Sequence, residues 1–192
     1  TTPGCWPQAL LLARCMGLSA VLLAEHSGGD PFDEACAMLW PDLAAKLGRP
    51  LPQACLSLTV ELRGEADVDH TLAAADAAGI LHFLQLRGIV VGNTAPPPPP
   101  LRCRPTPLAA SIPMPAPRGG VVVFRQLPGA QVRQGEPMVD IIDPVSGDVT
   151  TVTAPTDGLF FARCQRRFTA AGMSLGKVAG TEARRSGPLL SA

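Results

Sequence analysis

Hydrophobic and polar positions divide the chain into a first part with helical spacing and strand-length apolar runs, and a second part of short alternating runs. Apolar residues at 6, 9, 10, 12, 13 and 16 recur with helical spacing and are followed by Gly17, which predicts a short helix with a glycine stop. Residues 18–24 are mostly apolar and of strand length, so they predict a buried strand. The polar loop Glu25-His26-Ser27-Gly28-Gly29-Asp30 comes next. Asp30 can cap the following helix with Pro31 at its first position. That helix is expected to run to about Leu47, with a kink or a break into two helices at Pro41.

In residues 54–64, Leu56, Leu58 and Val60 alternate with Ser57 and Thr59, while Cys55 and Leu62 are also apolar. This predicts a mostly buried strand that ends in Glu61, Arg63 and Gly64. A carboxylate there is costly unless it is paired, directed at a metal or set at the lip of a cleft. Arg63 and Arg87 are the candidate salt-bridge partners. Residues 69–87 predict an alanine- and leucine-rich helix that ends at Gly88, with Asp69 at the positive end of its dipole.

Helix, strand, helix, strand, helix is α/β ordering. Only two strands precede the proline-rich stretch, so a larger sheet is expected to lack its first half. The expected divisions are a partial α/β domain over 1–92, a linker over 93–112, an all-β domain over 113–180 and a flexible tail over 181–192. Pro96 to Pro100 should form a stiff spacer of about 15 Å at roughly 3.1 Å per residue.

The second part contains an internal repeat. Ala116-Pro117-Arg118-Gly119-Gly120 and its apolar run echo Ala154-Pro155-Thr156-Asp157-Gly158 and the run after it. Val132 to Met138 matches Phe168 to Ser174, and Ile141 matches Val178. Each half reads strand, turn, strand, glycine turn, strand. The halves meet at the hairpin Asp143-Pro144-Val145-Ser146-Gly147-Asp148. Two interlocked halves of this kind predict a small β sandwich.

Composition adds bounds. Of 192 residues, 46% are hydrophobic, enough for a packed core, and the formal charge is zero, which gives no reason to expect nucleic acid or a membrane surface as partner. No apolar run reaches the roughly 18 residues of a membrane span, so a soluble chain is expected. The six cysteines show no Cys-x-x-Cys spacing and no following histidine at finger spacing. They read as reduced core residues of a cytoplasmic protein. The chain opens Thr-Thr-Pro without methionine, so Thr1 is not taken as a natural start.

The repeat resembles the biotinyl/lipoyl-carrier fold, a barrel-sandwich hybrid. In such carriers a lysine on the hairpin between the halves bears the cofactor. This hairpin has no lysine, and the chain holds only Lys46 and Lys177, so neither biotin nor lipoate is expected. Taken with Thr59-Val60-Glu61-Leu62-Arg63-Gly64, the helix ending Arg87-Gly88-Ile89-Val90 and the proline linker, the order of parts resembles the C-terminal part of the succinylglutamate desuccinylase/aspartoacylase family. These are zinc hydrolases related to zinc carboxypeptidases. The resemblance implies the C-terminal half of a zinc-carboxypeptidase-like α/β/α domain followed by a lipoyl-like barrel-sandwich domain. It implies a deacylase acting on a small acylated amino-acid-like substrate, with Glu61 as general base/acid to zinc-bound water.

Many relatives carry glycine where Arg63 stands. Arg63 is a candidate for binding a substrate carboxylate, against a structural ion pair as the plainer reading. The family binds zinc through His-x-x-Glu and a later histidine. His26, His70 and His82 have no acidic residue three positions on. None is assigned as a ligand, and the zinc ligands are expected upstream of Thr1. A non-enzymatic binding or adaptor protein on the same scaffold is the competing reading. Strand edges left by a missing half-sheet would favour homo-oligomers.

Overall fold

The computed structural model describes residues 3–28, 31–92 and 95–190, which fall into two compact units, 1–104 and 105–192. The expected cap residue Asp30 lies outside the described residues. Among the described residues no helix is long and apolar enough to cross a membrane.

Among its described residues the first unit holds three α-helices. Helix α1, Trp6–Met16, is preceded by a single 3-10 turn and stops at Gly17, as its spacing predicts. Helix α2 spans Phe32–Leu47 and helix α3 spans His70–Leu86. Helices α1 and α3 pack together at Gly79. A Cβ there would lie 2.9 Å from the carbonyl oxygen of Cys15 and 3.0 Å from the Cα of Met16, so only glycine permits this approach. Cys5, Leu12, Ala13, Ala37 and Phe83 are buried. The side chain of Asp69 accepts a hydrogen bond from the amide of Leu72 at 2.9 Å and caps α3.

Pro41 does not divide α2 in two. A proline withholds the amide that would bond the carbonyl four residues earlier. That carbonyl belongs to Ala37, and the side-chain nitrogen of Gln53 donates to it at 3.4 Å and to the carbonyl of Cys55 at 3.2 Å. The glutamine replaces the lost donor and ties α2 to the chain that follows.

The two expected strands of this unit are largely absent. Of residues 18–24, only β1, Leu22–Leu23, is strand, and it is half-buried. Residues 54–64 carry no strand at all. A strand is defined by its ladder, and among the described residues of this unit no neighbour supplies one to residues 54–64. The alternating pattern records a preference for a pleated surface that has no partner here. The proline stretch lies along the helices. Arg14 donates to the carbonyls of Pro98 and Pro99 at 2.9 and 2.7 Å, and His82 Nε2 bonds the carbonyl of Pro96 at 2.8 Å.

The second unit opens with β2, Thr106–Pro107, and a 3-10 turn at Leu108–Ala110. The strands that follow are β3 (Ser111–Pro115), β4 (Gly120–Phe124), β5 (Gln131–Val132), β6 (Pro137–Ile142), β7 (Val149–Thr153), β8 (Gly158–Arg163), β9 (Phe168–Thr169) and β10 (Ser174–Ala179). They form two four-stranded sheets, β3-β10-β8-β5 and β7-β6-β4-β9, whose paired strands run antiparallel. Both sheets contribute to one core, in which Met138, Val139, Ile141, Phe160, Leu175 and Val178 are fully buried.

The predicted repeat is present, and its halves exchange strands. Short strand β5 of the first half pairs with β8 of the second, and β9 of the second pairs with β4 of the first. Gly120 faces Thr169 and Gly158 faces Val132. The loop bonds repeat as well. Gly135 donates to the carbonyl of Ala154 at 2.9 Å, and Gly172 donates to that of Ala116 at 2.8 Å. Val132 therefore corresponds to Thr169, one residue beyond the Phe168 match expected from sequence. Ile141 does correspond to Val178. Beyond Gly180, the amides of Arg184 and Arg185 donate to the carbonyl of Ala109 at 3.0 Å, and Leu189 is buried.

Candidate functional site

Residues 59–64 are held from two sides. The acidic first turn of α2 lies on one side. Glu34 accepts from both the amide and the hydroxyl of Ser27, the latter at 2.5 Å, and so closes the loop that leads into the helix. Ser27 is buried, while its neighbour His26 is exposed. Asp33 accepts from the hydroxyl of Thr59 at 2.9 Å with one oxygen and from the amide of Glu34 at 3.1 Å with the other. Helix α3 lies on the other side. There the guanidinium of Arg63 forms an ion pair with Asp76.

Glu61 lies midway between Thr59 and Arg63. It is exposed, and among the described residues its carboxylate has no hydrogen-bond or ion-pair partner. The salt bridge weighed from sequence does not form. Arg63 turns to Asp76, and the guanidinium carbon of Arg87 stands 5.6 Å from the centre of the Phe83 ring. Arg63 itself has φ +66°, and is the one non-glycine residue in the left-handed region among the described residues. That backbone costs an ordinary side chain roughly 1–2 kcal/mol. Immediately after it, the amide of Gly64 donates to the Asp67 carboxylate at 2.9 Å and the amide of Asp67 donates to the Gly64 carbonyl at 3.0 Å. These bonds lock a tight turn behind Glu61.

The ion-paired state of Arg63 is the plainer of the two readings drawn from sequence. Its carboxylate-binding role would require it to leave Asp76. Asp33 and Asp76 were not legible as partners, because they sit on helices far along the chain and no local spacing links them to residues 59–63. Of the histidines, His70 opens α3 and is exposed, and half-buried His82 is satisfied by the proline stretch. Among the described residues no three histidine, cysteine, aspartate or glutamate side chains gather in a way that could hold a metal. The residues present do not fit a zinc site by themselves. All six cysteines are free, and burial pushes the thiols of Cys15 and Cys103 above their ordinary pKa.

At the hairpin between the repeats, Asp143 accepts from the amides of Val145 and Ser146 at 2.8 and 3.2 Å and pairs with Arg118. Val145, at the tip, is 95% exposed. The two amide bonds, with Arg118 adding to them, lower the Asp143 carboxyl below its usual range.

No family model and no curated protein matches the chain. Solved structures do. The chain is similar to a protein described as a succinylglutamate desuccinylase/aspartoacylase family member from Shewanella amazonensis, at 27% identity and a TM-score of 0.75, over 88% of this chain and 47% of that one. It is similar to another from Shewanella frigidimarina at 23% identity and a TM-score of 0.77, over 90% and 48%. The ectoine utilization protein EutE (DoeB) of Ruegeria pomeroyi shares the fold at 16% identity and a TM-score of 0.59, over 88% and 50%. The chain spans about half the length of the solved structures it matches. The resemblance read from the order of its motifs is also the one its fold carries, to the succinylglutamate desuccinylase/aspartoacylase family proteins.

Proposed function

We propose that this chain is the C-terminal portion of a cytoplasmic, zinc-dependent deacylase that hydrolyses an N-acyl amino acid or a similar small acyl compound. In this reading the first unit is part of a zinc-carboxypeptidase-like domain and the second is a lipoyl-like barrel-sandwich hybrid. The carrying observation is the likeness to a family protein at 27% identity over 88% of the chain. Exposed Ile80 and Leu81 on alanine- and leucine-rich α3 support a further layer over that helix.

Glu61 is the proton carrier in this proposal. Its carboxylate accepts a proton from the attacking water as the new C–O bond forms at the acyl carbon. It returns that proton to the amine nitrogen as the C–N bond breaks. In this proposal the metal's ligands belong to a segment upstream of Thr1, since His26, His70 and His82 have no acidic residue three positions on.

The test starts with zinc per chain by elemental analysis and intact mass from the same sample. The upstream coding segment is then restored and hydrolysis of N-acyl amino acids is measured with and without chelator. About one zinc per restored chain and chelator-sensitive turnover are expected. Glu61→Gln should keep the zinc and lower kcat by about 10²–10⁴-fold. A restored chain that binds no zinc and hydrolyses nothing would overturn the proposal and leave the adaptor reading.

A further inference from the structure

The geometry points to Asp76 and Thr59 as positioning residues for Glu61, acting through a two-sided clamp on the backbone that carries it. This inference rests on the reading of Glu61 as the proton carrier. Two residues before Glu61, the hydroxyl of Thr59 is held by Asp33 at the start of α2 at 2.9 Å. Two residues after it, Arg63 is held by Asp76 in the middle of α3. In the 192-residue chain these two side-chain bonds hold the stretch on either side of Glu61.

The backbone of Arg63 gives the clamp its direction. A left-handed arginine persists only where its surroundings hold it there. Asp76 supplies that restraint on the side chain, and the Gly64–Asp67 bonds supply it on the backbone. Releasing Asp76 lets Arg63 relax toward negative φ. The turn behind Glu61 then opens, and the carboxylate swings away from the position that Thr59 and Arg63 together define. Asp76 is partly shielded, with 15% of its side chain exposed against 37% for Arg63, so its pairing is less screened than that of a fully exposed carboxylate.

The test has one readout that does not need turnover. In the 192-residue chain, Asp76→Ala and Arg63→Ala should each speed amide exchange at Gly64 and Asp67 about tenfold, with exchange in α1 unchanged. The reversed pair, Arg63→Asp with Asp76→Arg, should recover most of the protection. Arg63→Gly removes the ion pair but adopts the left-handed backbone without strain, so it should exchange more slowly than Arg63→Ala; it also keeps the test open if Arg63→Ala does not fold. Exchange that is the same in all variants overturns the clamp, and so does a reversed pair that recovers nothing.

In the restored chain, Asp76→Ala and Thr59→Val should lower kcat about tenfold at unchanged KM, and Thr59→Ser should recover it. A raised KM at unchanged kcat would make Arg63 a substrate-binding group and overturn the positioning role. Full turnover in Glu61→Gln would instead remove Glu61 from the chemistry. The exchange result would still decide whether the clamp exists.

Discussion

Gly158→Ala should strongly lower the melting temperature of the second unit, and the size of the effect follows from one close approach. A Cβ on Gly158 would lie 2.1 Å from the carbonyl oxygen of Ala179, 2.7 Å from its carbon and 3.0 Å from the Cα of Gly180. All three atoms are backbone at the end of β10, which is paired on both sides by β3 and β8, so none can yield as a side-chain tip would. The residue also has φ +152°. Overpacking of this kind costs about 1–3 kcal/mol, and a backbone held where only glycine rests easily adds about 1–3 kcal/mol. A unit of roughly 90 residues loses about 5 °C in Tm per kcal/mol, so the expected drop is about 10–30 °C.

The assay is thermal unfolding followed by a probe of the β unit, with Gly129→Ala as reference. Gly129 also has positive φ, +99°, but nothing stands within 4 Å of its added Cβ. That change measures the backbone cost alone, about 1–2 kcal/mol. Gly120→Ala, at the corresponding place in the other half, should behave like Gly158→Ala, since its Cβ would lie 2.6 Å from the carbonyl oxygen of Ile142. A Gly158→Ala melt within about 5 °C of the Gly129→Ala melt would refute the close-approach reasoning.

Acid should weaken the same unit. Hydrogen bonds from Thr151 and Arg125 lower the Asp140 carboxyl, and the Val145 and Ser146 amides with Arg118 lower that of Asp143. A depressed carboxyl stabilises the fold fully above its unfolded pKa, about 3.9, and that stabilisation is lost as pH falls through the lower folded value. Melts from pH 7 to pH 2.5 should show this loss below about pH 4, and Asp143→Asn should flatten it; an unchanged acid limb counts against the assignment. In the first unit, Gln53→Ala should cost about 1 kcal/mol in denaturant unfolding by stranding the Ala37 carbonyl. Pro41→Ala restores the helical donor and should cancel most of that cost, so additive effects in the double variant would exclude this role for Gln53.

Helices were legible because their information is local. Trp6 to Met16 carries its spacing and its stop within twelve residues, and Asp69 stands where a cap must stand. The strand expected over 54–64 was not legible in the same sense. Alternation at Leu56, Leu58 and Val60 reports what a strand would bury, whereas a ladder needs a neighbour, and none pairs with it among the described residues of that unit. Arg63 failed for a related reason. Nothing in Glu-Leu-Arg-Gly announces a left-handed arginine, because the residue that steadies it, Asp76, comes thirteen positions later on a helix. At the candidate site, sequence singled out Glu61 and Arg63, but not the groups that hold them.

The repeat shows how a correct pattern can still be read one residue out. Hydrophobic matching aligns Val132 with Phe168, yet Phe168 is 59% exposed while the polar Thr169 is 3% exposed. Thr169 and Phe168 point to opposite faces of β9, and the register that sets Thr169 opposite Gly120 puts Thr169 on the inward face and Phe168 on the outward one. Its hydroxyl is satisfied locally, donating to the carbonyl of Ala170 at 3.2 Å, so burial does not strand it. The left-handed glycines Gly135 and Gly172 fix the register independently of hydrophobicity, with φ of +84° and +82° and the same bond back to an alanine carbonyl. In a fold whose halves exchange strands, glycines that permit turns and close approaches are therefore a firmer guide to register than apolar side chains, since an apolar residue such as Phe168 can stand on either face and these glycines cannot.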